Sequence, residues 1–206
     1  CIGSCSYCSS GHWRGFYTKS GHKAPKYRYA SNEHLLAELE FFKKAGRSSI
    51  VCCDDFFIRP YDEMVEFLRA YKQRIDLTFH ANFPEAFLTK HKDLFNLLVD
   101  AGLPMLYLPV QCADEGLAKT LFSRVNNLEG IKYWAEESRK RFVEFRTDFI
   151  DGFEYLVDKE EYLQKNLDFI KSLGFHPGFP NLTTVTVSYL RLHLNAPLLV
   201  SHKGIT

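Results

Sequence analysis

From Ser31 to Leu190 the chain alternates short apolar runs, rich in β-branched and aromatic residues, with longer segments whose apolar residues recur at helical spacing. That alternation restricts the fold to strand-helix units. Helical spacing is plain after Ser31-Asn32-Glu33, a helix-start signal, where Leu35, Leu36, Leu39, Phe41 and Phe42 recur until Gly46 stops the helix. Strands are expected at 48–53, 76–80, 105–110, 143–150 and 183–190, and further helices at 61–73, 85–101, 114–122, 128–140 and 159–173. Gly102 and Gly174 end two of these helices, while 191–206 carries no assignable pattern. Short strands joined by single helices pair in parallel through crossover connections, which leaves a barrel or an open α/β sheet. In both, ligands collect where strands end and loops begin.

With 206 residues, 46% of them hydrophobic and 15% aromatic, the chain can bury the core of one domain, and a single domain over 1–206 is expected. The net charge of +1 gives no whole-chain attraction to nucleic acid or to an anionic membrane. No apolar run approaches the roughly 20 residues that span a bilayer, and no segment resembles a signal peptide, so a cytoplasmic protein without a membrane partner is expected. Cys52 and Cys53 are adjacent and Cys112 is isolated, a distribution unlike a disulfide framework. Because the chain opens on Cys1, with no initiator Met or preceding strand, a fragment of a longer protein is expected.

Residues 1–30 lack periodicity and read as a long loop, and that loop carries Cys1, Cys5 and Cys8 in Cys-Ile-Gly-Ser-Cys-Ser-Tyr-Cys. Three thiolates at this spacing suit an iron-sulfur cluster with one iron lacking a protein ligand, and an open position makes a metal site reactive. A zinc site is the alternative, with His12 as the nearest fourth ligand.

The Cys-x3-Cys-x2-Cys loop, the aromatic Tyr7 before its last cysteine and the succession of strand-helix units resemble the radical S-adenosylmethionine enzymes over nearly the whole chain. The resemblance implies a partial (β/α)6 barrel of parallel TIM type, with the first strand missing upstream. It implies that Cys1, Cys5 and Cys8 hold three irons of a 4Fe-4S cluster, and that S-adenosylmethionine chelates the fourth and is cleaved reductively to a 5′-deoxyadenosyl radical. No catalytic residue is implied beyond the cluster and its bound cosubstrate, and a low-potential electron donor is the implied partner.

Further contacts follow from the strand ends, again as implications of the resemblance. Tyr7 would help hold the adenine. Asp54-Asp55, after the first described apolar strand, stand where many members carry a Gly-Glu motif for the methionyl amine, and a carboxylate there keeps that chemistry. A helix N-cap is the ordinary role for the same residues. Leu108-Pro109-Val110-Gln111-Cys112-Ala113-Asp114 and the later Arg124 resemble a segment of the methylthiotransferases in which Gln111 would lie near the ribose and Arg124 would pair with the carboxylate. Cys112, with no partner thiol in the sequence, reads as packing. Thr147 to Glu154 resembles an adenine-contacting segment, which points to Ile150 and Gly152; the Pro-Gly pair of that segment is absent, so Glu154 inherits no role.

His80 ends a strand and reads more readily as structural than as a ligand. The loop with His12, Trp13, Arg14, Tyr17, Lys19, Lys23, Lys26, Tyr27 and Arg28 combines cations with rings, which would suit nucleic acid or another anion, although the balanced net charge does not support that partner. Its exit, Lys26 to Ser31, and the Asp-Asp-Phe-Phe run resemble the cobalamin-associated members, in which a separate domain holds the corrinoid and methyl transfer is common. Methylthiotransferase-like modification of RNA or protein, and a non-catalytic metal-binding or electron-transfer module, are the alternatives. The substrate is not legible.

Overall fold

The structure, a computed structural model, describes residues 5–8, 15–23, 28–151, 158–174 and, for the backbone alone, 183–189. Helix α1 (Asn32–Lys44) begins where Ser31 Oγ accepts the His34 N–H at 3.3 Å and ends with Lys43 and Lys44, whose charges complement the helix dipole. Strand β1 (Ser49–Val51), helix α2 (Tyr61–Arg74) and strand β2 (Thr78–His80) follow. Next come helices α3 (Glu85–Lys90) and α4 (Leu94–Asp100), strand β3 (Met105–Tyr107), helices α5 (Glu115–Phe122) and α6 (Leu128–Lys140), strand β4 (Glu144–Asp151), helix α7 (Lys159–Leu173) and strand β5 (Thr183–Tyr189). Asp114, Asn127 and Asp158 cap α5, α6 and α7 through their side-chain oxygens.

Several expectations differ in detail: the strand expected over 105–110 is limited to Met105–Tyr107, and residues 15–19, within the expected long loop, are helical. Residues 85–101 form two helices because a tertiary contact bends the chain: the His91 ring stacks on Tyr61 at 4.8 Å, and the Tyr61 hydroxyl donates to the Asp93 carboxylate. The strand expected over 48–53 is limited to Ser49–Val51, although the Cys52 N–H still donates to the His80 carbonyl at 2.8 Å and carries the pairing onward.

All described pairing is parallel. The strands form one sheet of order β1-β2 and another of order β3-β4-β5, and among the described residues they do not close into a barrel. The Phe79 N–H donates to the Gly102 carbonyl at 3.0 Å, which ties β2 to the turn that leads into β3. Gly102 has φ +97°, and a Cβ there would stand 2.9 Å from the Leu77 carbonyl oxygen, so glycine is required for this approach.

The strands differ sharply between their faces. Ile50, Phe79, Leu106, Phe145 and Phe149 are buried in a core shared with Leu36, Phe67, Leu98 and Trp134 of the helices. The alternate positions Thr78, His80, Met105, Tyr107, Glu144, Arg146 and Asp148 stay partly exposed, and most are polar. A parallel sheet covered on both sides would be apolar on both. Here the described helices cover the apolar face, and the other face is polar.

Candidate functional site

The cysteine loop turns tightly at Cys5–Cys8, where the Cys8 N–H donates to the Cys5 carbonyl at 3.1 Å. Ser6 fastens this turn to the end of α5: its N–H donates to the Phe122 carbonyl at 3.0 Å and its Oγ to the Leu121 carbonyl at 2.6 Å. These carbonyls have no partner within the helix, so the loop satisfies groups that the helix end leaves open. Tyr7 packs edge-on against Phe122 with ring centroids 5.2 Å apart. It joins a second apolar cluster formed by Cys112, Ala118, Phe122, Ile150 and Tyr162.

Cys5 and Cys8 are free, half-buried thiols on one turn, a donor set that fits an iron-sulfur cluster. Cys1 lies outside the described residues, as do His12 and Gly152. Among the described residues no three His, Cys, Asp or Glu side chains gather as a metal site.

Beside the turn lies a polar group. The Tyr7 hydroxyl interacts with the Cys5 sulfur and the Arg124 guanidinium; burial pushes its pKa up, Cys5 reinforces the rise and Arg124 opposes it. Arg124 donates from Nη2 to the Pro109 carbonyl and from Nε to Asn126 Oδ1 at 2.8 Å. Asn126 Nδ2 in turn donates to the carbonyls of Val110 and Cys112 at 2.7 and 2.8 Å. This ladder fixes the segment after β3 against the segment after α5.

Gln111 has φ +67°, a left-handed conformation unusual for a non-glycine residue. Its N–H donates to the Asp148 carbonyl at 2.8 Å, and its own carbonyl accepts from the Ile150 N–H at 2.9 Å and the Tyr162 hydroxyl at 3.2 Å. The surrounding bonds over-determine the strained backbone, as is common where a side chain must be aimed. Gln111 Nε2 donates to both Asp148 oxygens at 3.0 and 2.9 Å, and the Tyr107 hydroxyl is a further partner of that carboxylate. Burial raises the Asp148 pKa above the usual carboxylate range, with Tyr107, Gln111 and Arg124 pulling it back.

Thus Cys5, Tyr7, Gln111 and Arg124 share one neighbourhood, and Ile150 packs beneath it. Cys112 is fully buried, and burial pushes its thiol up to about 11, as suits packing. Asp54 and Asp55 are exposed at the end of β1. The neighbouring Phe56 lines a cavity of about 140 Å³ whose other walls include Phe83, Glu85, Leu108, Pro109 and Arg124, so the ends of β1, β2 and β3 border one space. His80 is half-buried. Sequence reasoning missed Ser6, Tyr107, Asn126 and Asp148; Ser6 and Asp148 lay in segments already singled out, but as unremarked neighbours.

The far end of the loop is anchored separately. Arg59 is buried and donates to the Ala30 carbonyl at 2.7 Å, with its guanidinium over the rings of Tyr29, Phe57 and Phe67 at 5.0 to 5.7 Å.

Two solved structures are similar along 98% of this chain, both of the radical S-adenosylmethionine methyltransferase TsrM from Kitasatospora setae, at 15% sequence identity. One contains cobalamin and a 4Fe-4S cluster and matches with a TM-score of 0.72; the other contains tryptophan substrate and the S-adenosylmethionine analogue aza-SAM and matches at 0.73. This chain has their fold. It spans 37% and 36% of those two chains, little more than a third of their length. No family model and no curated protein matches the sequence.

Proposed function

We propose that the chain is the core of a radical S-adenosylmethionine enzyme of the cobalamin-associated, methyl-transferring kind, its two sheets forming the arc of a partial barrel. One observation carries the reading: in a chain with the TsrM fold, Ser6 fastens the Cys5–Cys8 turn to α5 immediately before Arg124, next to Gln111 and Asp148. Cys1, Cys5 and Cys8 would hold a 4Fe-4S cluster, which when bound supplies the electron that cleaves S-adenosylmethionine. The chain's own residues bind and orient: Tyr7, Ile150 and Gly152 toward the nucleoside, Gln111 toward the ribose, Arg124 toward the carboxylate, and Asp54 or Asp55 toward the amine.

The cavity bordered by Phe56, Phe83 and Leu108 supplies apolar walls for a substrate. Tryptophan, bound in one of the similar structures, is the first candidate to test. Cobalamin would belong to a separate domain, and a low-potential donor would supply electrons. No helix among the described residues is long and apolar enough to cross a membrane.

The test is anaerobic cluster reconstitution, a low-potential reductant, and measurement of 5′-deoxyadenosine and S-adenosylhomocysteine with and without cobalamin and tryptophan. Formation of either product, lost in Cys5→Ala and Cys8→Ala, supports the reading. A fully loaded cluster that neither binds nor consumes S-adenosylmethionine would falsify it.

A further inference from the structure

We propose that Asp148 is a positioning residue that sets which end of the Gln111 amide faces the ligand. Both Asp148 oxygens take up Gln111 Nε2, at 3.0 and 2.9 Å. Against the burial that raises the Asp148 pKa, Tyr107, Gln111 and Arg124 favour its carboxylate, and a carboxylate accepts from the nitrogen of an amide, not from its oxygen. The amide is therefore locked in one orientation. One N–H of Nε2 is shared between the two Asp148 oxygens, and no described residue donates to Oε1. The group left to the ligand is an acceptor.

The backbone reinforces this arrangement. Asp148 also holds Gln111 through its carbonyl, at 2.8 Å from the Gln111 N–H, and the Gln111 carbonyl is taken by Ile150 and Tyr162. With φ at +67°, Gln111 is clamped through its N–H, its carbonyl and its side-chain nitrogen. Tyr107, on the same polar face, lies close enough to the carboxylate to favour its charged form. Oε1 is thereby held turned away from Asp148, as an acceptor for a ligand that donates a hydrogen bond at this point. A hydroxyl of a ribose is such a donor, and this assignment rests on the reading that the ligand is S-adenosylmethionine.

Replacing Asp148 by Asn would pit two amides against each other and free Gln111 to flip, presenting a donor instead. The reversed pair, Asp148→Asn with Gln111→Glu, restores a single donor between the two side chains and again leaves an oxygen toward the ligand, at unchanged formal charge.

The experiment uses the anaerobically reconstituted chain and two readouts: the equilibrium affinity for S-adenosylmethionine, and the side-chain amide resonances of Gln111 in 15N-labelled protein without ligand. In the wild type the Gln111 amide protons are expected to be widely split and slow to exchange. Asp148→Asn should collapse that signature and weaken binding about tenfold, the effect of losing one charge-assisted hydrogen bond. The reversed pair should return the affinity to within about threefold of wild type, a rescue that a merely structural role would not produce. Unchanged affinity in Asp148→Asn, or a reversed pair no better than the worse single variant, overturns the proposal. If Asp148→Asn fails to fold, ordinary shifts and fast exchange for Gln111 in the wild type overturn it as well. A wild-type chain with a full cluster and no affinity for S-adenosylmethionine defeats the functional reading instead, and the amide resonances still decide whether Asp148 orients Gln111.

Discussion

Ser6 closes the carboxyl end of α5, its Oγ 2.6 Å from the Leu121 carbonyl oxygen across 115 positions of sequence. A residue between two candidate cluster ligands thus completes a helix that ends one residue before the segment carrying Arg124. Ser6→Ala removes the side-chain bond and leaves the Leu121 carbonyl poorly satisfied in a buried place. We expect a loss of about 1 kcal/mol in urea unfolding. Iron retention after reconstitution should fall with it, because the turn is no longer fixed. Equal iron content and equal stability in the variant would show that the loop is held elsewhere.

The other end of α5 gives a prediction with a pH signature. Asp114 Oδ1 accepts the Leu117 N–H at 2.8 Å, and Oδ2 lies 2.6 Å from Lys165 Nζ. Lys165 first, and the Leu117 N–H second, hold the Asp114 pKa below the usual carboxylate range. A carboxyl whose folded pKa is depressed stabilises the fold above its unfolded pKa, about 3.9, and loses that contribution as pH falls through the folded value. Asp114→Ala should therefore cost about 1 kcal/mol at neutral pH, as for a lost N-cap. The gap between wild type and variant should narrow below about pH 4. Denaturant midpoints measured from pH 7 to pH 3 check this; a gap independent of pH would rule out the charged cap as its source.

Gly102 and Gly46 separate backbone strain from collision. Both have positive φ, +97° and +78°, but a Cβ on Gly46 meets nothing within 4 Å whereas one on Gly102 lies 2.9 Å from the Leu77 carbonyl oxygen. Gly46→Ala should cost about 1 kcal/mol from conformation alone. Gly102→Ala should cost more, about 3 kcal/mol, because the collision is with backbone beside β2, which cannot swing aside as a side chain could. Calorimetric unfolding of both variants provides the comparison. Equal losses would mean that the β2–β3 junction yields without penalty.

How far the sequence carries follows from which of these contacts are local. Ser31 announces α1, and Gly46 and Gly174 announce helix ends, because caps and turns are decided within a few residues. The break after α3 is invisible to periodicity, since it depends on His91 and Asp93 meeting Tyr61 thirty residues earlier in the chain. The same holds at the site. The cysteine spacing and the strand ends mark Cys5, Tyr7, Gln111 and Arg124, but the partners that aim them, Ser6 on Leu121 and Asp148 on Gln111, are long-range pairs with no local signature. Asp54 and Asp55 are marked only by their place after a strand, where they stand in for another motif, and their side chains are exposed.

Arg124 offers the sharpest separation of a binding role from an ordinary surface cation. Its guanidinium engages the Pro109 carbonyl and Asn126 at once while lying beside Tyr7 and influencing Asp148. A lysine keeps the positive charge but replaces the planar fork with one ammonium, which cannot hold both contacts and also meet a carboxylate with two parallel bonds. Arg124→Lys should therefore weaken S-adenosylmethionine binding about tenfold, while unfolding stability drops by only about 1 kcal/mol. Arg124→Met, which also removes the charge, should weaken binding further. At saturating S-adenosylmethionine the turnover of Arg124→Lys should approach that of the wild type, because the loss lies in binding common to ground and transition states. Titration of the reconstituted protein with S-adenosylmethionine, alongside the KM and kcat of product formation, distinguishes the cases. A lysine variant indistinguishable from wild type in affinity would return Arg124 to a purely structural strut between the segments that follow β3 and α5.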